Sequence, residues 1–231
     1  MGKLSIVATP IGNLEDITFR ALRTLKECDV IYAEDTRVIS KLLSKYGFRK
    51  PVFRLDAVTE IKKAGEILAR LEAGEHVAYV SDAGTPGISD PGQRLVADVR
   101  SLIASCEEGR EIKIEAIPGP SALTAALSIA GLDIAEFIFL GFLPHKKGRQ
   151  TALKKIIESE IPVVLYESPH RILKLLKELL PLGEQRRVVI ARELTKMHEQ
   201  VVRGTVAEII AYFATNPDKV RGEFVVIIEA N

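Results

Sequence analysis

The chain has 231 residues, 47% of them hydrophobic, enough for one large or two modest domains with real cores. Its 32 Lys and Arg stand against 31 Asp and Glu, so a net charge of +1 excludes binding of nucleic acid by bulk charge, and any basic patch must be local. No apolar run approaches the ~20 residues of a membrane helix, and the N-terminus carries one short strand rather than a signal-peptide core, so a cytoplasmic protein with no targeting segment is expected.

Residues 4–8 read as a strand running into the turn Thr9-Pro10-Ile11-Gly12-Asn13. Residues 17–27 carry Phe19, Leu22 and Leu25 at helical spacing, with Asp16 or Thr18 as the cap. A short buried strand at 30–33 leads into the polar cluster Glu34-Asp35-Thr36-Arg37, and 38–46 form a helix stopped at Gly47. A strand at 52–55 and a helix at 60–73, closed by Gly74, precede the strand at 77–80. Beyond the loop 80–92 come a helix at 93–103, a strand at 112–117 ending at Pro118-Gly119-Pro120-Ser121-Ala122, and a small-residue helix at 123–129. Alternating strands and helices predict an α/β fold whose strand carboxyl-end loops converge on one crevice.

The pattern changes at 132–147, where an apolar stretch at 137–140 meets a flexible basic run, Gly141-Phe142-Leu143-Pro144-His145-Lys146-Lys147-Gly148-Arg149. A domain boundary is expected within 118–148, dividing the chain into 1–117 and 118–231. Helices at 150–159, 171–180 and 206–213 then alternate with strands at 162–166, 187–191, 201–203 and 224–228, including one hairpin. The two cysteines, Cys28 and Cys106, lie near the ends of two predicted helices with no C-x-x-C and no histidine cluster, and read as reduced thiols.

The loop Val80-Ser81-Asp82-Ala83-Gly84-Thr85-Pro86-Gly87-Ile88-Ser89-Asp90-Pro91-Gly92 is long for an idle turn, and it joins a buried strand to a helix, where α/β proteins hold ligands. It contains no lysine, and the chain has neither G-x-x-x-x-G-K-[ST] nor G-x-G-x-x-G. Two carboxylates would repel a polyphosphate, so an uncharged or cationic nucleoside fits better: an acid at a strand end grips ribose hydroxyls and tolerates a sulfonium.

Six segments together resemble the RsmI family of bacterial small-subunit rRNA methyltransferases, within the tetrapyrrole-methylase superfamily. They are Thr9-Pro10-Ile11-Gly12-Asn13-Leu14, Ala33-Glu34-Asp35-Thr36-Arg37, the loop from Ser81 to Gly92, Pro118-Gly119-Pro120-Ser121-Ala122, Tyr166-Glu167-Ser168-Pro169-His170-Arg171 and Arg192-Glu193-Leu194-Thr195-Lys196. The resemblance spans essentially the whole chain, although many members continue well past the last strand, where this chain ends at Glu229-Ala230-Asn231. It implies 2′-O-methylation of a cytidine in the decoding centre of 16S rRNA within the 30S subunit, a homodimer, no metal, and a two-domain α/β fold with S-adenosylmethionine in the interdomain cleft. The cofactor contacts it implies are Pro10, Ile11, Asp82, Ala83, Gly84, Thr85, Ser121, Ala122 and Tyr166.

Methyl transfer from a sulfonium is an in-line displacement that relies mostly on positioning, but a ribose hydroxyl is a poor nucleophile and benefits from a base or a nearby cation. Glu34, Asp35, Arg37, Glu193 and Lys196 are the catalytic candidates. Taken alone, the first cluster reads equally as a helix cap and Arg192-Glu193 as an ion pair between strand neighbours. Lys146, Lys147, Arg149 and Arg171 are the candidate RNA contacts, against the plain alternative of a solvated turn. Two other functions fit the cofactor loops: methylation of a tetrapyrrole or protein, and a non-catalytic S-adenosylmethionine- or nucleoside-binding assembly factor.

Overall fold

The computed structural model describes residues 1–105 and 111–231, and the chain divides into two units, residues 1–121 and 122–231. In the first unit, β1 (Gly2–Val7), β2 (Val30–Ala33), β3 (Val52–Arg54), β4 (His76–Val80) and β5 (Ile112–Ile117) form a wholly parallel sheet in the order β3-β2-β4-β1-β5. Parallel strands covered on both faces need apolar residues at every position, and β2, Val-Ile-Tyr-Ala, is buried throughout. Alternate residues go to opposite layers. Ile31, Ala33, Ala78 and Val80 pack with Leu25 of α1 (Phe19–Glu27) and Leu42 of α2 (Thr36–Lys45), whereas Val30, Tyr32, Val77 and Tyr79 pack with Ile67 of α3 (Glu60–Glu72) and Leu95 of α4 (Gln93–Ser105). Each such side chain removed from water contributes about 1.5–3 kcal/mol.

From β1 the chain passes over β4 to reach β2, and from β4 it passes over β1 to reach β5. Connections therefore leave β1 and β4 in opposite directions, and the carboxyl ends of these neighbours flank a topological switch point.

Side-chain caps set the helix starts. Thr18, rather than Asp16, caps α1 by accepting from the Ala21 N–H, while Asp16 belongs to a short 3-10 turn, Leu14–Asp16. Helix α2 starts at Thr36, two residues before the hydrophobic periodicity announced it, because the Asp35 carboxylate accepts from the Arg37 N–H. Cys28 is a free, buried thiol whose pKa burial pushes up to about 11, so it is inert. Cys106 lies outside the described residues.

The second unit comprises α5 (Ala122–Ile129), β6 (Ile138–Phe142), α6 (Arg149–Ile157), β7 (Val163–Glu167), α7 (Ile172–Glu178), β8 (Val188–Arg192), β9 (Gln200–Gly204), α8 (Val206–Thr215) and β10 (Phe224–Ile228). Its sheet runs β6-β7-β10-β8-β9, with only β6 and β7 parallel and β8–β9 the expected hairpin. The last strand is the central one, which explains why all five residues of β10 are buried. A capping box, Thr205 with Glu208, starts α8.

One expectation is corrected here. The basic run 141–149 is not a flexible, fully solvated segment: Gly141 and Phe142 finish β6, and Arg149 opens α6 at 4% exposure. The Arg149 guanidinium donates to Glu178 at 2.6 Å and to the Pro144 carbonyl at 3.1 Å. Only His145, Lys146 and Lys147 present their charged or polar ends to solvent. Among the described residues, no helix is long and apolar enough to cross a membrane.

Candidate active site

The loops at the carboxyl edge of the first unit's sheet are tied to one another. Thr9, after β1, and Gly84, after β4, exchange backbone hydrogen bonds of 2.9 and 3.0 Å. The Thr85 hydroxyl donates to the Pro120 carbonyl after β5 at 3.3 Å, and the Asp35 N–H after β2 donates to the Asp82 carboxylate at 2.8 Å. In return the Glu34 carboxylate accepts from the Asp82 backbone. Four strand-end loops thus share one network, and Thr9, Pro10, Val38, Leu42, Ser81 and Asp82 line a pocket there.

Gly84 is favoured here by its left-handed backbone. Its φ is +76°, and a Cβ would stand 3.4 Å from the Ile11 side chain and 3.7 Å from the Pro120 carbonyl, filling the space between three loops. Of the other candidate cofactor residues, Asp82 and Ala83 are exposed, and Thr85 and Ser121 are half-buried. Ala122 and Tyr166 belong to the second unit, where the Leu123 N–H donates to the Tyr166 hydroxyl and that ring packs edge-on against Phe139 and Phe142.

The acidic residues of the site differ in electrostatics. The Arg37 guanidinium and backbone N–H both donate to Asp35, holding its carboxyl at about 2. Asp35 therefore works as a cap and ion-pair partner, and is a feeble proton acceptor. Burial and then the neighbouring Asp82 charge raise the Glu34 carboxyl above its ordinary value. Asp90, named in the sequence only as a hydrogen-bonding loop residue, is raised to about 6, first by burial and then by Glu34. The signal in the sequence was a second acid in one Gly/Pro loop; the charge that adds to the effect of burial, Glu34, follows a different strand.

In the second unit, Glu193 and Lys196 form a closed charge group. Lys196 lies 2.8 Å from Glu193 and 2.9 Å from Glu223, and the Glu223 N–H donates to Glu193 at 3.0 Å. Burial pushes Glu193 up, but Lys196 and the Glu223 N–H together hold it below its ordinary value. Glu193 and Thr195 occupy the left-handed region, φ +51° and +66°, so the turn is strained as well as paired. Arg192 is not the partner of Glu193; it donates to the carbonyls of Arg221 and His198. Arg171 is likewise engaged, 2.7 Å from the buried Glu167 and 2.9 Å from the Leu143 carbonyl. No group of three or more His, Cys, Asp or Glu among the described residues is arranged to hold a metal ion.

A network of strand-end loops at the switch point of a parallel sheet, in a chain whose second unit carries a mixed five-stranded sheet, agrees with what comparison finds: the chain belongs to the Tetrapyrrole (Corrin/Porphyrin) Methylases, whose model matches residues 3–210. It is 47% identical over 228 residues to ribosomal RNA small subunit methyltransferase I of Thermotoga maritima, covering 99% of this chain and 98% of that protein. The protein of the same name from Escherichia coli O157:H7 is 45% identical over 232 residues, covering 100% of this chain and 78% of the relative. The crystal structure of the methyltransferase CobJ covers 100% of this chain and 95% of its own with a TM-score of 0.71 at 18% identity, a likeness of fold. The chain is a methyltransferase that uses S-adenosylmethionine.

Proposed function

We propose that this chain methylates the ribose 2′-hydroxyl of a cytidine in the decoding region of 16S rRNA, acting in the cytoplasm on the 30S subunit as a homodimer. The observation that carries the reading is the match, end to end in both chains, to a relative named for methylation of small-subunit ribosomal RNA.

The residues present fit S-adenosylmethionine. The glycine cradle at Gly84 leaves room that a Cβ would fill, the exposed Asp82 offers a carboxylate for ribose hydroxyls, and the loop's acids suit a sulfonium rather than a polyphosphate. Pro10, Ile11, Ala83, Thr85 and Ser121 complete the proposed contacts in the first unit. Bound there, the cofactor supplies an already activated methyl group, so the protein's remaining tasks are to orient the hydroxyl and remove its proton. Glu34 forms the β2 wall of the nucleophile site, and Arg37, its side chain 85% exposed, faces solvent where a phosphate can reach it. Lys196 is held by Glu193 and Glu223, so it would meet substrate charge only by giving up one of these partners.

Asp35→Ala, which removes the α2 cap, is expected to lower the melting temperature by roughly 2–4 °C, and Arg37→Gln, which removes only an exposed ion-pair partner, by less, each with little change in cofactor affinity. Single-turnover methylation alongside thermal melts checks this, and a rate loss of ~10²-fold in either variant would restore a direct catalytic role.

The RNA contacts rest on the exposed end of the basic run. Lys146→Ala with Lys147→Ala is expected to weaken 30S binding and flatten its salt dependence by up to roughly one slope unit per lost phosphate contact, leaving cofactor affinity intact. An unchanged slope would return the segment to a solvated turn.

The substrate class is tested by supplying methyl-labelled S-adenosylmethionine with 30S subunits, with deproteinised 16S rRNA and with a porphyrinogen. Label in 16S rRNA supports the reading; label in the porphyrinogen alone overturns it.

A further inference from the structure

At its carboxyl end β6 departs from regular pairing. Phe139 stands opposite Val164 but Phe142 opposite Tyr166, so three steps along β6 match two along β7. Gly141, whose φ of +60° lies in the left-handed region, accommodates the extra residue. In a regular strand, residues three apart face opposite sides of the sheet. The bulge instead returns Phe142 to the side of Phe139, and both rings meet the Tyr166 ring edge-on, with centroids 5.6 and 5.0 Å away. Bulges re-aim side chains in this way beside functional sites. The ring re-aimed here stays 52% exposed.

The chain beyond the ring is held in place. The Arg171 guanidinium lies 6.0 Å from the centre of the Phe142 ring, and it is itself fixed, 2.7 Å from the buried Glu167 and donating to the Leu143 carbonyl at 2.9 Å. One residue further on, Arg149, paired with Glu178, donates to the Pro144 carbonyl at 3.1 Å. Two guanidiniums thus capture consecutive carbonyls between the ring and the exposed tip His145-Lys146-Lys147. Residues 141–149 contain no Asp or Glu, and among the described residues neither Lys146 nor Lys147 is in an ion pair. An exposed aromatic ring therefore stands a few residues from two unneutralised cations on an anchored turn.

The geometry points to Phe142 as a stacking platform for an unpaired base of the RNA substrate, with Lys146 and Lys147 taking phosphates beside it. This assignment rests on the rRNA reading above. A single strand offers both complementary features, the flat apolar faces of its bases and one negative charge per nucleotide. A duplex hides those faces in its stack. Holding one base still also fixes the riboses on either side of it, which is the positioning that methyl transfer to a hydroxyl needs. A second copy of this chain, docking through the same patch on a two-fold axis, would bring lysines to lysines, and like charges oppose that.

The test compares wild type, Phe142→Ala, Phe142→Leu and Phe142→Trp in 30S binding and single-turnover methylation, alongside melting temperature, mass in solution and calorimetric S-adenosylmethionine affinity. Phe142→Ala should bind 30S subunits roughly 5- to 150-fold more weakly, with its melting temperature, salt slope and cofactor affinity unchanged. Phe142→Leu, which keeps apolar bulk without an aromatic face, should be nearly as weak. Phe142→Trp should stay within about threefold of wild type, because an indole stacks as well. The chain has no tryptophan of its own, so the emission of this single indole should fall when single-stranded oligocytidylate is added. Phe142→Ala within about twofold of wild type, full affinity in Phe142→Leu, or an emission unmoved by saturating oligocytidylate would overturn the platform. So would weakened cofactor binding in Phe142→Ala, which would assign the ring to the cofactor, or a fall in its mass to that of one chain, which would assign it to a second copy. A wild type inactive on 30S subunits would overturn the substrate reading and the platform together.

Discussion

Arg149→Ala is expected to destabilise the protein by about 3 kcal/mol, roughly 6–12 °C in Tm, without altering the salt dependence of RNA binding. The guanidinium makes three hydrogen bonds to Glu178, two of them from Nε, and one to the Pro144 carbonyl inside the second unit, and its removal leaves the Glu178 carboxylate, 19% exposed, with Lys174 at 3.9 Å as its one remaining ion-pair partner among the described residues. Losing one partner of a buried pair is costly because the other charge remains desolvated. Arg149→Lys should recover only part of the loss, since an ammonium cannot reproduce the two-pronged contact. Thermal melts with 30S binding at two salt concentrations separate the outcomes; a stable variant with a flattened salt slope would return Arg149 to the RNA surface.

Asp82→Ala is expected to weaken S-adenosylmethionine binding by about 1–3 kcal/mol, roughly 5- to 150-fold in Kd. The carboxylate is exposed at the switch point and accepts from the Asp35 N–H, so the variant also loosens the link between the β2 and β4 loops. Asp82→Asn keeps an acceptor for that N–H and loses the charge, and it should retain the loop while still binding the cofactor weakly. Calorimetry gives both affinities, and an unchanged Kd in Asp82→Ala would make Asp82 a turn residue only.

The elements were legible where one local rule decided them. Residues 30–33, 112–117 and 224–228 were read as strands, and β2, β5 and β10 have those bounds, because short apolar runs between turn residues leave little choice. Family membership was legible too, since six long motifs in order leave few other matches. What escaped was set by partners distant in sequence. Nothing near Arg149 announces that Glu178, 29 residues further on, will neutralise it, so a buried structural arginine looked like one more member of a basic run. Asp35 could be read as cap or catalyst until Arg37 was seen to hold both its oxygens. The Asp90 carboxyl is raised by burial and by Glu34, which follows β2, a strand paired with β4 but distant from it in sequence.

The most direct test of the account is to locate the methyl group. 30S subunits from cells lacking the relevant 16S ribose methylation are incubated with this protein and labelled S-adenosylmethionine, and the 16S rRNA is hydrolysed in alkali. A 2′-O-methyl group blocks cleavage at its own nucleotide, so the account predicts that the label is recovered in one alkali-resistant dinucleotide beginning with cytidine, from the decoding region. Label released in mononucleotides, which places the methyl on a base, or no label in 16S rRNA at all, would contradict it.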